Sequence, residues 1–257
     1  ARGATYNLMT GDTPAAGVVG ASGGNHGAAL AFAAQRASVP ANIFVFTFSP
    51  EAKVDRIRGY GAKVHRAADN FDALMETTHA FARDSGARIV HAYDQPGTLM
   101  GQGTTALEFL DQASVDTLLI ATGGGGLIGG MAAYVENHAK IVSVEPELAP
   151  TLFNARAAGK PVTSPAGGIA ADSLGPGQVG ELMFPITQAY VDVAVTVPDS
   201  AIRQAWQLLW DELRIVVEPG GATALAALIS GAYTPEPDER IGVLLCGANT
   251  NVVGFPE

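Results

Sequence analysis

The chain has 257 residues, enough for one large domain or two ordinary ones. Apolar residues make up 47% and charged residues 16%, a composition that excludes a disordered chain. The net charge of −10 disfavours nucleic-acid binding, because such a surface repels phosphate backbones. The single cysteine excludes a disulfide framework and any thiolate-rich metal site, and it fits a reducing, cytoplasmic location.

Short apolar runs alternate with segments of helical spacing along the chain. There are about eight strand candidates, enough for two sheets. The main ones are Gly17–Ala21, Asn42–Phe48, Ala62–His65, Arg88–His91, Asp116–Ala121, Ile141–Glu145 and Ile241–Cys246. The helical segments are Ala28–Arg36, Glu51–Arg58, Phe71–Ala82, Ala106–Gln112, Leu127–His138, Ile202–Leu213 and Thr223–Ile229.

This alternation predicts an α/β fold with two lobes, each a mainly parallel sheet covered by helices. We place the boundary between the lobes near Tyr93–Gly97, where a proline and a glycine interrupt the pattern. Residues 16–93 then form a small domain, and residues 1–15 with 94–257 form a large one.

One uncharged stretch, Thr117–Val135, is close in length to a membrane span. It contains six glycines, which weaken a helix, and its pattern suits a strand, a glycine loop and a helix. We therefore do not expect the chain to enter a membrane.

A glycine-rich turn with the sequence ASGGNHG occupies residues 21–27, after a strand candidate and before a helix. Small residues let a ligand approach the backbone closely. The N–H groups at the start of a helix favour an anion. Ser22, Asn25 and His26 add side chains that can form hydrogen bonds. The alternative is an ordinary strand-to-helix turn capped by Asn25.

A second glycine-rich loop, TGGGGL at residues 122–127, also lies between a strand and a helix. Its four consecutive glycines present N–H groups without side chains, which predicts a phosphate-binding cradle. The alternative is a tight turn, although turns rarely need four glycines.

The same loop supports a competing function. Gly124, Gly126 and Gly129 have the G-x-G-x-x-G spacing, and Glu145 lies at a strand end about 20 residues further on. These residues alone predict an NAD-dependent oxidoreductase. Against it, the loop lies in mid-chain, and a glycine-rich loop of different chemistry precedes it.

The last strand candidate ends in LLCGAN at residues 244–249. Taken alone, Cys246 favours core packing, because a free cysteine is usually buried.

Together these segments resemble the serine/threonine dehydratase family of fold type II pyridoxal-phosphate (PLP) enzymes, which are tryptophan synthase beta-like. SGGNHG is similar to the family's S-x-G-N-H loop, and GGGGL to its phosphate-binding loop. VEPGGA at residues 217–222 is similar to its V-E-P-S-G-A helix start, and CGAN to its S/C-G-G-N strand end. The motifs occur in the family's order over nearly the whole chain, which favours PLP over NAD.

The resemblance implies PLP as the cofactor and gives each motif a role. Asn25 would contact the ring hydroxyl, Cys246 the pyridine nitrogen, and the glycine loop the phosphate. The implied cofactor-binding residues are Asn25, Gly123, Gly124, Gly125, Gly126, Leu127, Glu218 and Cys246. The implied residues for the substrate carboxylate are Ser22, Gly23, Gly24 and His26, although His26 has an alternative structural role.

The family's Schiff-base lysine lies in a phrase similar to F-K-x-R-G-A. This chain begins ARGA, so we expect the catalytic lysine immediately before Ala1, in an N-terminal segment that the sequence lacks. The lysines present match no part of that phrase; they are Lys53, Lys63, Lys140 and Lys160.

The resemblance implies PLP-dependent β-elimination of L-threonine or L-serine to a 2-oxo acid and ammonia. A neutral Cys246 thiol favours elimination over transamination. Gly23 replaces a second serine of serine racemases, which disfavours racemisation. The alternatives are the same chemistry on another 3-hydroxy-amino acid, or a serine racemase-like activity.

Relatives with a divalent cation use an acidic cluster that begins V-E-P. Val144-Glu145-Pro146 is present, but Thr151 stands where a further Asp is expected, so we assign no metal site. Glu145 either holds a cation or faces solvent at its strand end. The chain ends soon after CGAN, which leads us to expect an unregulated, catabolic enzyme. We expect a homodimer, the common default.

Overall fold

The computed structural model describes residues 1–250. They form two compact units, Ala1–Gln102 and a second that starts at Gly103. Residues 1–15 and 94–102 lie in the first unit, whereas the predicted domain limits join them to the second. The division into a small and a large domain therefore stays a prediction.

The first unit contains strands β1–β4 and helices α1–α4, and helix α5 begins in it. These elements are α1 (Arg2–Thr10), β1 (Val18–Ala21), α2 (Asn25–Ala37), β2 (Ala41–Phe46), α3 (Glu51–Gly59), β3 (Lys63–Ala68), α4 (Phe71–Ser85), β4 (Arg88–Ile89) and α5 (Pro96–Gln112).

Within the described residues, the first sheet has four parallel strands in the order β3-β2-β1-β4. Alternate side chains of each strand serve opposite faces. Val18 and Ile43 pack in the cluster that includes Leu30 of α2, whereas Val19 and Phe44 pack in the cluster that includes Leu74. The order reverses between β1 and β4, and ligands of such sheets bind at the carboxyl ends of strands beside such a reversal.

The second unit repeats this plan with strands β5–β8 and helices α6–α11. These elements are β5 (Thr117–Ala121), α6 (Gly126–Val135), β6 (Lys140–Pro146), α7 (Thr151–Ala158), α8 (Ala171–Leu174), α9 (Phe184–Tyr190), β7 (Val193–Val197), α10 (Asp199–Leu213), α11 (Pro219–Ile229) and β8 (Ile241–Val243).

The second sheet is also parallel, with the order β7-β6-β5-β8 among the residues described. Its order reverses between β5 and β8. Side chains of β5 and β6 pack with the apolar faces of α10 and α11 in one cluster that includes Leu119, Val142, Ile202 and Ala222. The two parallel sheets with surrounding helices confirm the predicted fold class.

The uncharged stretch at residues 117–135 divides into strand β5, a loop and helix α6. Over residues 1–250, no helix combines the length and the hydropathy needed to cross a bilayer.

Candidate active site

The first glycine-rich turn links β1 to α2 at the carboxyl edge of the first sheet. Ser22 N–H donates to the Phe44 carbonyl at 2.9 Å, and Gly24 N–H donates to Ser22 Oγ at 3.1 Å. A Cβ at Gly27 would lie 2.0 Å from the Ser22 carbonyl oxygen, so the first turn of α2 can approach the loop only because residue 27 is glycine. The sequence therefore folds Ser22, Gly23 and Gly24 into a tight turn.

Asn25 is the first residue of α2 and is exposed, and Gly24 holds the N-cap position without a side-chain cap. The interpretation of Asn25 as a helix cap is therefore wrong. Its role toward the ring hydroxyl of PLP stays a prediction.

His26 serves a structural contact in the first unit. Its Nε2 lies 2.8 Å from the Val90 carbonyl oxygen. A carbonyl only accepts, so this nitrogen carries the hydrogen. Burial lowers the pKa of His26 to about 4, so the imidazole is neutral at physiological pH. These observations favour the structural alternative, and a contact between His26 and the substrate carboxylate stays a prediction.

Ser49, which the sequence analysis did not single out, lies beside Gly23. A Cβ at Gly23 would lie 2.8 Å from Ser49 Oγ, and Ser49 is buried. The Ser49 hydroxyl therefore occupies the space into which a side chain at position 23 would project.

The second glycine-rich loop links β5 to α6 at the carboxyl edge of the second sheet. Gly125 is the N-cap of α6 with φ +86, a left-handed conformation that glycine adopts without strain. A Cβ at Gly123 would lie 2.9 Å from Leu174 Cα, and a Cβ at Gly125 would lie 2.1 Å from Met183 Cε. Backbone atoms therefore require glycine at position 123, and the left-handed conformation favours it at position 125.

The carbonyl groups of this loop accept hydrogen bonds from other protein groups. Gly123 O accepts from Thr151 Oγ1 at 2.7 Å, Gly124 O from Gly180 N at 3.1 Å, and Gly125 O from Gly129 N at 2.8 Å. The first N–H groups of α6 have no intrahelical acceptor, and they carry the positive end of the helix dipole. This arrangement suits a phosphate group.

Glu218 and Cys246 meet at the same edge of the second sheet. Strand β8 pairs with β5, and Glu218 N–H donates to the Gly247 carbonyl at 3.0 Å. A Cβ at Gly221 would lie 2.4 Å from that same oxygen, so α11 approaches the strand end through glycine. The side chains of Leu174 and Ser173 lie against Gly220 as well, and Leu174 also lies against Gly123.

Cys246 is exposed, so its interpretation as a core cysteine is wrong. Desolvation by the surrounding protein, followed by the nearby Glu218 charge, raises the pKa of the Cys246 thiol to about 11. The thiol is therefore neutral at physiological pH, and its Sγ lies 3.9 Å from the Gly220 carbonyl oxygen. A neutral thiol fits a neutral ring nitrogen, and the glycine loop fits a phosphate, so this edge suits PLP.

Glu145 is fully buried, so the expectation that it faces solvent is wrong. Its Oε1 accepts from Leu152 N at 2.7 Å, and its Oε2 accepts from Phe153 N at 2.7 Å. Glu145 therefore caps the start of α7. These bonds do not fit a cation ligand, and Thr151 supplies no charge. Among residues 1–250, no three His, Cys, Asp or Glu side chains cluster as a metal site.

Lys140 begins β6, at the end of the sheet opposite the glycine loop. Its Nζ lies 3.0 Å from Glu239 Oε1 and 3.2 Å from the Tyr233 hydroxyl, and these partners raise the pKa of its ammonium group. Lys140 is thus a charged structural residue. The Schiff-base lysine expected before Ala1 stays a prediction.

Known proteins match this chain over nearly all of its length. A family described as pyridoxal-phosphate dependent enzyme matches residues 1–247. Phenylserine dehydratase of Ralstonia pickettii is 36% identical over 99% of this chain and 80% of its own length. Biosynthetic L-threonine dehydratase of Escherichia coli is 37% identical over 99% of this chain, which spans 51% of that enzyme.

Among solved structures, serine racemase of Dictyostelium discoideum superposes with a TM-score of 0.91 and 29% identity. The match covers 98% of this chain and 83% of the racemase. These findings confirm the resemblance seen in the four motifs. The chain belongs to the pyridoxal-phosphate-dependent enzymes of fold type II, and pyridoxal phosphate is its cofactor.

Proposed function

We propose that the protein catalyses β-elimination of a 3-hydroxy-amino acid, L-threonine or L-serine, giving a 2-oxo acid and ammonia. The similarity to two dehydratases supports this class of reaction. The observation that carries the proposal is the position of Cys246, which follows β8 at the same sheet edge as the glycine loop that follows β5.

Pyridoxal phosphate, when bound, withdraws electrons from the α-carbon of an amino acid. In this proposal, the N–H groups of the loop from Gly123 to Leu127 hold its phosphate. Cys246 would contact the ring nitrogen, with Glu218 near the thiol. A neutral thiol adds no negative charge there, so it stabilises a positively charged ring less than a carboxylate would. This favours rapid loss of the β-hydroxyl over transamination.

The turn from Ser22 to His26 receives the amino acid. Its serine hydroxyl and the backbone N–H groups at the start of α2 suit a carboxylate. Asn25 would contact the ring hydroxyl of the cofactor. Loss of water gives an enamine, and its hydrolysis with one water molecule releases the 2-oxo acid and ammonia.

An oxidoreductase that uses Gly124, Gly126 and Gly129 is disfavoured. That function needs the Glu145 carboxylate to accept from ribose hydroxyls. Glu145 is instead buried, and its oxygens accept from α7.

Incubation of the full-length protein with L-threonine, L-serine and phenylserine, scored for both 2-oxo acid and ammonia, tests the proposal. We expect equal amounts of the two products from at least one of these amino acids. The variant Gly123→Ala should lose this activity, because its Cβ would collide with Leu174. Failure of all three amino acids to give both products would contradict the proposal.

Racemisation is the second candidate, since a serine racemase is among the solved structures that match. Gly23 has no side chain to exchange a proton, and Ser49 Oγ fills the adjacent space. The double variant Gly23→Ser with Ser49→Ala makes room for a hydroxyl at position 23. We expect it to raise the ratio of D-serine to 2-oxo acid, measured by chiral chromatography. An unchanged ratio would contradict the role assigned to Gly23.

A further inference from the structure

We propose that Thr151 is a positioning residue that orients the Gly124 N–H toward the cofactor phosphate. Glu145 holds Thr151 in place, and no divalent cation takes part in this support. This inference rests on the proposed function, because it assumes that the glycine loop binds the phosphate. It assigns the Glu145–Thr151 pair to cofactor binding.

The contact between Thr151 and the loop is short and buried. Thr151 Oγ1 lies 2.7 Å from the Gly123 carbonyl oxygen, and Thr151 is fully buried. In a planar trans peptide, the carbonyl and the N–H point in opposite directions. A bond that holds Gly123 O on the protein side therefore points the N–H of Gly124 to the other side. The Gly180 N–H fixes the next peptide in the same way through Gly124 O.

Thr151 is in turn held by Glu145. Glu145 Oε1 lies 3.1 Å from Thr151 Oγ1, and the carboxylate also accepts from the N–H groups of Leu152 and Phe153. These bonds fix the first turn of α7 against the end of β6. The hydroxyl consequently reaches the loop from a rigid support.

The hydroxyl of Thr151 has one proton and two oxygen neighbours. The shorter contact, to Gly123 O, receives that proton. Glu145 supports the hydroxyl through its bonds to the N–H groups of Leu152 and Phe153, which fix the first turn of α7 where Thr151 lies.

A cation does not fit the same place. Both carboxylate oxygens of Glu145 accept from backbone N–H groups of α7, and Thr151 presents a neutral hydroxyl. The bonds from α7 to Glu145 and from Thr151 to Gly123 O therefore support the loop through protein groups.

Titration of the full-length apoprotein with PLP and with pyridoxal, which lacks the phosphate, tests this inference. Binding is followed by the absorbance and fluorescence of the bound ligand. The measured quantity is the ratio of the pyridoxal dissociation constant to the PLP dissociation constant, which expresses the preference for PLP. We expect Thr151→Val to reduce the preference for PLP about tenfold, the effect of about one lost hydrogen bond, with little change in the pyridoxal constant. Thr151→Ser should keep the preference within about twofold, because it keeps the hydroxyl.

Thr187 provides a matched control in the same unit. It is fully buried, and its Oγ1 donates to the Phe184 carbonyl of its own helix at 2.8 Å and not to a carbonyl of the glycine loop. Thr187→Val should leave the preference unchanged. If Thr151→Val does not fold, Thr151→Ala takes its place with the same expected loss.

A wild-type preference in Thr151→Val or Thr151→Ala would overturn the inference. So would an equal loss in Thr151→Ser, which would point to packing instead of the hydroxyl. If EDTA lowers the preference of the wild-type protein for PLP, a divalent cation takes part in positioning the loop, and that part of the inference is wrong. A wild-type protein that binds PLP no better than pyridoxal would instead contradict the phosphate-binding role of the loop, and the inference would fail with it.

Discussion

His26 shows how its surroundings set the chemistry of one side chain. The bond from its Nε2 to the Val90 carbonyl holds one tautomer, and desolvation disfavours the charged form. A neutral imidazole in this position ties the start of α2 to the segment after β4. Within the first unit, His26 therefore stabilises the turn that carries Ser22 and Gly23.

The lowered pKa of His26 predicts a loss of stability in acid. The unfolded chain takes up the proton near pH 6.5, whereas the folded protein takes it up only near pH 4. The contribution of the neutral His26 to the free energy of unfolding is therefore fully present above pH 6.5, and it is lost as the pH falls to 4. The loss corresponds to about 3 kcal/mol.

Urea denaturation of the wild type and of His26→Gln across this pH range measures the effect. The free energy of unfolding of the wild type should fall more steeply with acid than that of the variant, since the variant lacks the titrating group. Parallel pH profiles would show that the histidine keeps an ordinary pKa.

Thr151 and Ser49 mark the limit of sequence reasoning for single residues. The positions of Ser22, Gly23 and the four glycines were predictable, because small residues between a strand and a helix leave a local pattern. Thr151 lies 28 residues from Gly123, and Ser49 lies 26 residues from Gly23. Their contacts depend on the packing of neighbouring strand ends, and no local spacing encodes that packing.

Helices α2 and α11 approach their neighbours through glycine. The Cβ positions of Gly27 and Gly221 fall 2.0 and 2.4 Å from the backbone oxygens of Ser22 and Gly247. Backbone oxygens cannot rotate away as a flexible side chain can. Larger residues at either position must therefore displace a whole helix from its sheet edge.

Gly27→Ala should destabilise the protein by about 1–3 kcal/mol, the usual cost of overpacking. Gly59, also helical and in the same unit, is the matched control, because a Cβ there would meet nothing within 4 Å. Thermal denaturation of both variants, with KM for the amino acid as a second readout, checks this. We expect Gly27→Ala to lower the melting temperature and raise KM, whereas Gly59→Ala should leave KM unchanged and keep or slightly raise the melting temperature. Equal behaviour of the two variants would show that the loop accommodates a side chain.

Two of the helices left out of the sequence prediction have physical reasons for their weak signals. Helix α1 packs through glycine and a buried amide: Asn7 Nδ2 donates to the Gly3 carbonyl at 2.8 Å and to Thr98 Oγ1 at 3.0 Å. Such a helix lacks an apolar stripe. Helix α7 is capped by Glu145, a residue of the preceding strand. The sequence beside its first turn therefore has no capping residue that would predict where the helix starts.

At the scale of the whole molecule, the order of strands and helices was the most predictable feature. Buried strands of a parallel sheet form continuous apolar runs, as β2 and β5 do, and seven of the eight strands in residues 1–250 coincide with predicted ones. Strand β7 (Val193–Val197), which is only partly buried over most of its length, is the strand that the sequence analysis did not include. Two sheets that repeat one strand order, each with a glycine loop at its carboxyl edge, could be expected only in outline from the sequence.

Cofactor binding should stabilise the folded protein as a whole, because PLP recognises a loop shaped by elements that exist only after folding. The loop contacts Leu174, Gly180 and Met183, which lie in the segment from the end of α8 to the start of α9, far from the loop in sequence. At a PLP concentration about one hundred times the dissociation constant, linkage predicts about 2.7 kcal/mol of added stability. Differential scanning calorimetry of the full-length protein should show a melting temperature that rises with PLP concentration, and pyridoxal at the same concentration should raise it less. Equal shifts with both ligands would mean that the phosphate contributes nothing, and the four glycines would then need another explanation.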